Sequence, residues 1–544
     1  MVVVTKERTV IKRKAHLQKR RPRQETTPRI RKQAKDQKLQ KRKASLVRNS
    51  SKVSDIKAVL LRINPTEDEV IVATRGIRYL TSTENNFQVE EVLSAGFIPF
   101  LVQVLNCNYF RSSTQIYESA WALTNIAATD YAKDVVSEGA IEPLVTLLRH
   151  YDPKVREQSA WCLGNIAGDG PHLRDQILNE SAIESLVANV TNPENISLLG
   201  TIVWTISMLC KGKPAPPSSL LDGVIHPLVL LLDRPITDDI RIDILWAISY
   251  LSDGDNQQIK SLIASGVSRK LAQLLEEEFN CKKPIVQIFG NFVSGNDSQT
   301  QIVLESGMLN QLSKLLGSKS KEIRKESSRL ASNIACGNHD QITKLVRRKK
   351  ILYQIIENAT HDRWDVRHEA LWALANICTN GNQTHVLSLV RAGGFESLIA
   401  VLALENANIP LLVAVLSATK SIFEAHHPHH LTLFEECNGI EYLEALQNHK
   451  SEIIYEQVVA LIQNYFGVED EEVENLSPGE NASCLYSFGF VERRSPSPKH
   501  FHRLFPSNAG EKKKGDSSSQ YKTVLTLEEN HRNNKENQTI NNIE

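Results

Sequence analysis

The sequence predicts an all-α solenoid, a stack of helical repeats with a basic arm ahead of it and a polar tail behind. Three observations carry this expectation. An aromatic residue followed four positions later by Asn returns at a nearly fixed interval: Trp121 with Asn125 (WALTN), Trp161 with Asn165 (WCLGN), Trp204 in WTISM, Trp246 in WAISY, and Trp372 with Asn376 (WALAN). The first four tryptophans stand 40, 43 and 42 residues apart, and the register runs on through Gln287 and Arg329 to Trp372. A period of this length marks helical units stacked along a line. A second phrase keeps the same register, small residues before an apolar run: SAGFIPFLV, SEGAIEPLV, LDGVIHPLV, RAGGFESLI and CNGIEYLEA. Third, charge is segregated. Residues 1–52 hold nineteen Lys or Arg against three Asp or Glu, a local charge of +16 that leaves −15 for the rest of the chain.

Taken in order, the arm comes first. Residues 1–52 contain basic clusters at Lys19, Arg20 and Arg21 and again at Lys41, Arg42 and Lys43. Pro22 and Pro28 interrupt a continuous helix, but Thr27 as cap with Pro28 in the first turn allows a shorter one over 28–43. The arm has no aromatic residue, so it lacks stacking platforms for single-stranded nucleic acid. By charge alone it suits nucleic acid, an acidic protein or the acidic body of the same chain. Residues 53–466 read as helix after helix, in nine or ten repeats of two long helices and a short first one. Each repeated Gly suits a helix end or a tight turn, where a left-handed conformation costs little. Residues 467–544 open with the acidic cluster Glu469, Asp470, Glu471, Glu472 and Glu474 and continue rich in Ser, Asn and Pro, a composition expected to be disordered.

The ladder carries the functional expectation. Positions i and i+4 share a helix face, so each repeat presents an indole and a carboxamide side by side. An unpaired buried amide costs about 1–3 kcal/mol, and repeating that cost in several repeats argues for an exposed groove wall instead of core. Asn has both a donor and an acceptor with which to clamp the backbone of an extended peptide. Neighbouring indoles form slots for aliphatic stems and cations, worth about 0.5–2 kcal/mol each. The expected ligand is an extended segment rich in Lys and Arg.

Other chemistry is sparse. No apolar run approaches the roughly 20 residues that span a bilayer, and the basic N-terminus is not followed by an apolar signal region, so secretion is not expected. The eight cysteines form no CxxC pair, as befits reduced thiols. His426, His427, His429 and His430 surround Pro428 without a partner cluster, and no metal or cofactor is expected. No phosphate-cradling glycine loop, nucleophile elbow or metalloprotease pattern is present, so an enzyme is not expected. Ser495 and Ser497 each precede a proline, as phosphorylation sites often do, and Lys535, Glu536 and Asn537 spell a degradation-like signal.

The tandem WxxxN copies, the phrases WCLGNIAGD and WAISYLSDG, the basic arm and the closing IIYEQVVALIQNYFGVEDEE together resemble the importin alpha family over residues 12–474. The resemblance implies a right-handed superhelical solenoid of about ten armadillo repeats, a nuclear import adaptor that shuttles between cytoplasm and nucleus, including the nuclear envelope and pore. It implies a major site for nuclear localisation signals at Trp121, Asn125, Trp161, Asn165, Trp204 and Trp246, with Asp169 as lysine anchor and Asp243 adding negative potential. It implies a minor site at Asn291, Asn333, Glu369, Trp372 and Asn376, in which Gln287 replaces the family's Arg and Arg329 the family's Trp. Met208 replaces an Asn of the major site. Lys19, Arg20, Arg21, Arg31 and Lys32 would bind importin beta, while Lys41, Arg42 and Lys43 match a self-binding cluster. Glu469, Asp470, Glu471 and Glu472 would contact an export receptor, acting with Ran-GTP, that recycles the adaptor. The readings outside the family are an armadillo scaffold of adhesion or signalling complexes and a nucleic-acid binder driven by the arm.

Overall fold

The computed structural model describes residues 52–467, apart from 63–64, 83–85, 107–111, 278–280, 405–406, 426 and 428 and the side chains of 86–88. The arm positions Lys19, Arg20, Arg21, Arg31, Lys32, Lys41, Arg42 and Lys43 lie outside the described residues, as do Glu469, Asp470, Glu471, Glu472, His426, Ser495 and Ser497. The described part is helical and contains no strand. It resolves into ten repeats. We number the third helix of each repeat: α1 (Glu67–Thr81), α2 (Ser113–Ile126), α3 (Pro153–Asp169), α4 (Ile196–Leu209), α5 (Asp238–Leu251), α6 (Lys283–Phe292), α7 (Lys321–Ala335), α8 (Trp364–Asn380), α9 (Ile409–Glu424) and α10 (Glu452–Tyr465). Two other helices precede each of these, except that among the described residues only Val53–Leu60 precedes α1 and that a 3-10 turn, Ser218–Leu221, opens the fifth repeat. Each third helix packs on the next, α1 on α2 through to α9 on α10, so the core is a continuous seam.

The helices owe their buried faces to this stacking. In α4 the run LLGTIVWTISML is apolar nearly all round, because neighbours on two sides and the second helix of its own repeat cover it. Turns into the second helices use a left-handed residue, supplied by Gly96 (φ 74°), Gly139 (φ 78°), Gly223 (φ 81°) and Gly393 (φ 85°), as the repeated phrase suggests. Two repeats differ. The fourth uses Ser181 (φ 56°), and in CNGIEYLEA the left-handed residue is Asn438 (φ 58°), not Gly439. Gly439 is required for space instead, since a Cβ there would stand 2.5 Å from the ring of Phe434.

The first helices of the seventh, eighth and ninth repeats begin with the same capping box, in which Asn296 pairs with Gln299, Asn338 with Gln341 and Asn382 with His385. His385 is the exception that titrates. Its Nδ1 accepts from Asn382 N at 3.1 Å, and its Nε2 lies 2.7 Å from Thr343 Oγ1, whose own proton goes to the His339 carbonyl. Both bonds need a neutral ring protonated on Nε2. Burial lowers the His385 pKa, and His339 and Arg347 add to the effect. The folded value therefore lies below the unfolded one of about 6.5. The bonus is complete above pH 6.5 and is lost as the pH falls through the folded value. His385→Gln should keep the cap, as Gln299 and Gln341 do, leave the melting temperature at pH 7.5 within a few degrees, and flatten its decline below pH 6.5. Equal declines in the two proteins would exclude His385 as the titrating group.

Candidate functional site

Successive third helices place Arg78, Trp121, Trp161, Trp204, Trp246, Gln287, Arg329 and Trp372 at equivalent positions in α1 to α8. The fit between neighbours is close. A Cβ at Gly164, three residues after Trp161, would lie 2.3 Å from Trp204, so this glycine lets the indole rest on the α3 backbone. Gly290, three residues after Gln287, does the same for Arg329, whose Nη2 would stand 2.8 Å from such a Cβ. The guanidinium of Arg329 thus fills the packing position that an indole fills in the fourth repeat. Trp121, Trp204, Trp246 and Trp372 are half-buried, whereas Trp161 is buried, at 8% exposure.

The carboxamides differ from the sequence expectation of an exposed wall. Asn165 is only 3% exposed, and Asn291 and Asn376 are buried as well. Their donors are satisfied by the preceding third helix: Asn125 Nδ2 reaches the Arg78 carbonyl at 3.3 Å, Asn165 Nδ2 the Thr124 carbonyl at 3.0 Å, Asn291 Nδ2 Ser252 Oγ at 2.9 Å, Asn333 Nδ2 the Gly290 carbonyl at 3.3 Å, and Asn376 Nδ2 the Ser332 carbonyl at 3.1 Å. Burial here carries no unpaired-donor cost, because each amide stitches its repeat to the one before. One N–H of each amide is thereby held by the preceding repeat, and in Asn165 the buried Oδ1 has no hydrogen-bond partner among the described residues. The stitch is missing in the fourth and fifth repeats, where Met208 and Tyr250 stand at the Asn position, and Tyr250 instead stacks on Trp246 with centroids 5.9 Å apart.

Carboxylates line the same faces. Glu118, Asp243, Glu326 and Glu369 each stand three residues before a ladder position, and Glu369 is buried. Glu326 pairs with Arg329, whose Nη2 lies 2.8 Å from Glu326 Oε2. Burial alone would lower the Arg329 pKa, but Glu326, Glu369 and Asp253 outweigh it and raise the value, so the group stays cationic. Asp169, the last residue of α3, is exposed and makes no ion pair with a described residue. A carboxylate at a helix C-terminus is disfavoured by the helix dipole by about 0.3–1 kcal/mol. Asp169 is therefore not there for the stability of its helix.

Elsewhere the side chains are structural. His430 is buried with its Nδ1 donating to the Ile422 carbonyl at 2.8 Å and its ring stacked on His427. Burial pushes the Cys162 and Cys210 thiols up to about 12, which leaves them inert core groups. Sequence reasoning missed Arg78, Glu118 and Tyr250. A signal for Arg78 existed, since it stands 43 residues before Trp121.

Stacked three-helix repeats with a residue ladder on their third helices define an armadillo solenoid. A family model described as an armadillo/beta-catenin-like repeat matches residues 129–168, and one described as an atypical Arm repeat matches residues 428–479. An engineered protein of known crystal structure superimposes with a TM-score of 0.68 at 23% identity, covering 76% of this chain and 98% of its own. Importin subunit alpha-1b of Oryza sativa subsp. japonica is 30% identical over 458 residues, 82% of this chain and 85% of the relative. Importin subunit alpha-2 of Arabidopsis thaliana is 39% identical over 211 residues, 38% of each chain. The chain belongs to the importin alpha family. Membership gives it the broad role of a nuclear import adaptor that shuttles between cytoplasm and nucleus.

Proposed function

We propose that this chain carries cargo by binding the basic nuclear localisation signal along α2 to α5, and that the arm of residues 1–52 links the complex to importin beta. The observation that supports this reading best is the joint geometry of Trp161, Asn165 and Asp169 on α3. They set an indole, an amide whose buried oxygen lacks a described partner, and an exposed carboxylate that pairs with no described cation along one helix. An extended lysine-rich chain uses all three: its backbone N–H meets Asn165, its stems lie between indoles, and its ammonium reaches Asp169. In this reading Trp121, Asn125, Trp204, Asp243 and Trp246 continue the major site. Asn291, Asn333, Glu369, Trp372 and Asn376 form a second, weaker one. The chain divides into the importin-beta-binding segment 1–52, the repeats 53–466 and the tail 467–544. The acidic run Glu469 to Glu472 serves the export receptor that returns the adaptor with Ran-GTP.

The arm supplies the test. Lys41, Arg42 and Lys43 are tethered to the repeats at an effective concentration near millimolar, so they compete with cargo until importin beta takes the arm. Deleting residues 1–52 should tighten binding of a signal peptide, and adding importin beta to the intact chain should do the same. Equal affinities for intact and truncated chains at one ionic strength would remove the internal competitor.

The second site is weakened at Arg329, whose charge, although paired with Glu326, stands where a ligand's lysine stem would pass. Extending a monopartite signal into a bipartite one should therefore gain less than about tenfold, or 1.4 kcal/mol. Arg329→Trp should enlarge that gain in the same titration. A large gain with Arg329 in place would show that the pair with Glu326 already restores the slot.

A further inference from the structure

We propose that Arg78 is a specificity-determining residue which closes the outermost slot of the ladder, so that the groove favours basic segments whose cations stop at the Trp121–Trp161 slot. This rests on the groove reading given above. In the first repeat the ladder position is Arg78, and its guanidinium lies over the Trp121 ring with its carbon 4.2 Å from the centroid. Because Arg78 reaches Trp121 from α1, it covers the face turned toward the first repeat. Arg78 Nε is 3.1 Å from Glu118 Oε2, and Arg75 Nε donates to Glu118 Oε1 at 3.0 Å. The Asn125 amide donates to the backbone carbonyl of the same Arg78. Two recognition elements that a ligand lysine would use at this slot, the indole face and the carboxylate three residues before it, are thus engaged by the chain itself.

The charge balance points the same way. Two guanidiniums share one carboxylate that is only 7% exposed, which leaves the slot net positive. A further cation arriving there would have to displace Arg78 from both Trp121 and Glu118 and would be repelled by Arg75. In the fourth and fifth repeats Thr201 and Asp243 stand at the position equivalent to Glu118.

The test is calorimetric titration of the full chain with a short oligolysine peptide and with its single-alanine replacements, with thermal melts of every variant. In the unsubstituted protein, alanine at one end of the run should cost less than twofold. In Arg78→Ala the same replacement should cost about three- to tenfold, the range of an exposed to a partly desolvated cation–π contact. Arg78→Gln keeps a neutral stem and a partner for Glu118, and should give the same pattern if Arg78→Ala melts early. An alanine profile unchanged in both variants would overturn the proposal. So would a general loss of affinity, which would mean that Arg78 holds the peptide. The parallel variant Asp169→Lys separates the two levels. If it leaves affinity unchanged, the groove reading fails and the slot falls with it. If it weakens binding while the Arg78 profile stays flat, only the closure of the slot is refuted.

Discussion

Asp169→Lys is expected to weaken binding of a short lysine-rich peptide by at least about 2 kcal/mol, close to thirtyfold. The expectation follows from where α3 ends. Asp169 is exposed, is not neutralised by an ion pair with a described residue, and lies one turn beyond Asn165 on the same helix. The substitution removes a charge-assisted contact and places a repulsive charge in the path of the ligand. The same change should slightly stabilise the free protein, because a cation suits the C-terminal end of the helix dipole. Affinity and stability therefore move in opposite directions, and a misfolded variant cannot imitate the result. Titration calorimetry beside a melting curve reads both, and unchanged affinity would place the lysine anchor elsewhere.

Phe434→Ala should have the largest effect on stability, about 3–5 kcal/mol. Phe434 is fully buried, stacks on Phe395 at 5.9 Å and on Phe466 at 5.9 Å, and meets Phe423 edge-on at 5.2 Å. Gly439 leaves room for the ring, so neither the backbone nor a neighbouring side chain refills the space. In a solenoid each repeat contacts only its neighbours, so the damage should be local. Hydrogen exchange should rise across 394–465 while oligolysine affinity at α2 to α5 stays within about twofold. Loss of protection along the whole chain would show that the repeats unfold as one cooperative block.

The repeat register was legible because a 42-residue period needs only the identity of the recurring residue. The state of Asn165 was not, since its burial is tolerable only through the Thr124 carbonyl, which the preceding repeat supplies. A single repeat read alone makes that amide look too costly to bury. The glycine phrase located the turns correctly at Gly96, Gly139, Gly223 and Gly393, yet in CNGIEYLEA two residues can take a positive φ. The ring of Phe434, packed against Gly439, is a contact the pattern does not contain. Arg78 is not aromatic and so stands outside the Trp pattern, although its spacing to Trp121 fits the period. Its significance lies in the ring it covers.

The interruption at Met208 and Tyr250 acts like a break in a vernier scale. An extended ligand advances about 6.6–6.8 Å for every two residues, whereas packed helices stand about 8–10 Å apart. A row of amide oxygens fixed one per helix drifts against a ligand backbone by about 1–3 Å per repeat, and within a few repeats the two are a full residue out of phase. Five unbroken clamps could not all stay in step with one straight strand. Splitting them into Asn125 and Asn165 on one side and Asn291, Asn333 and Asn376 on the other gives two short scales, each of which sets its own zero. In the proposed two-site reading, the length of ligand chain joining the two stretches is then free to vary.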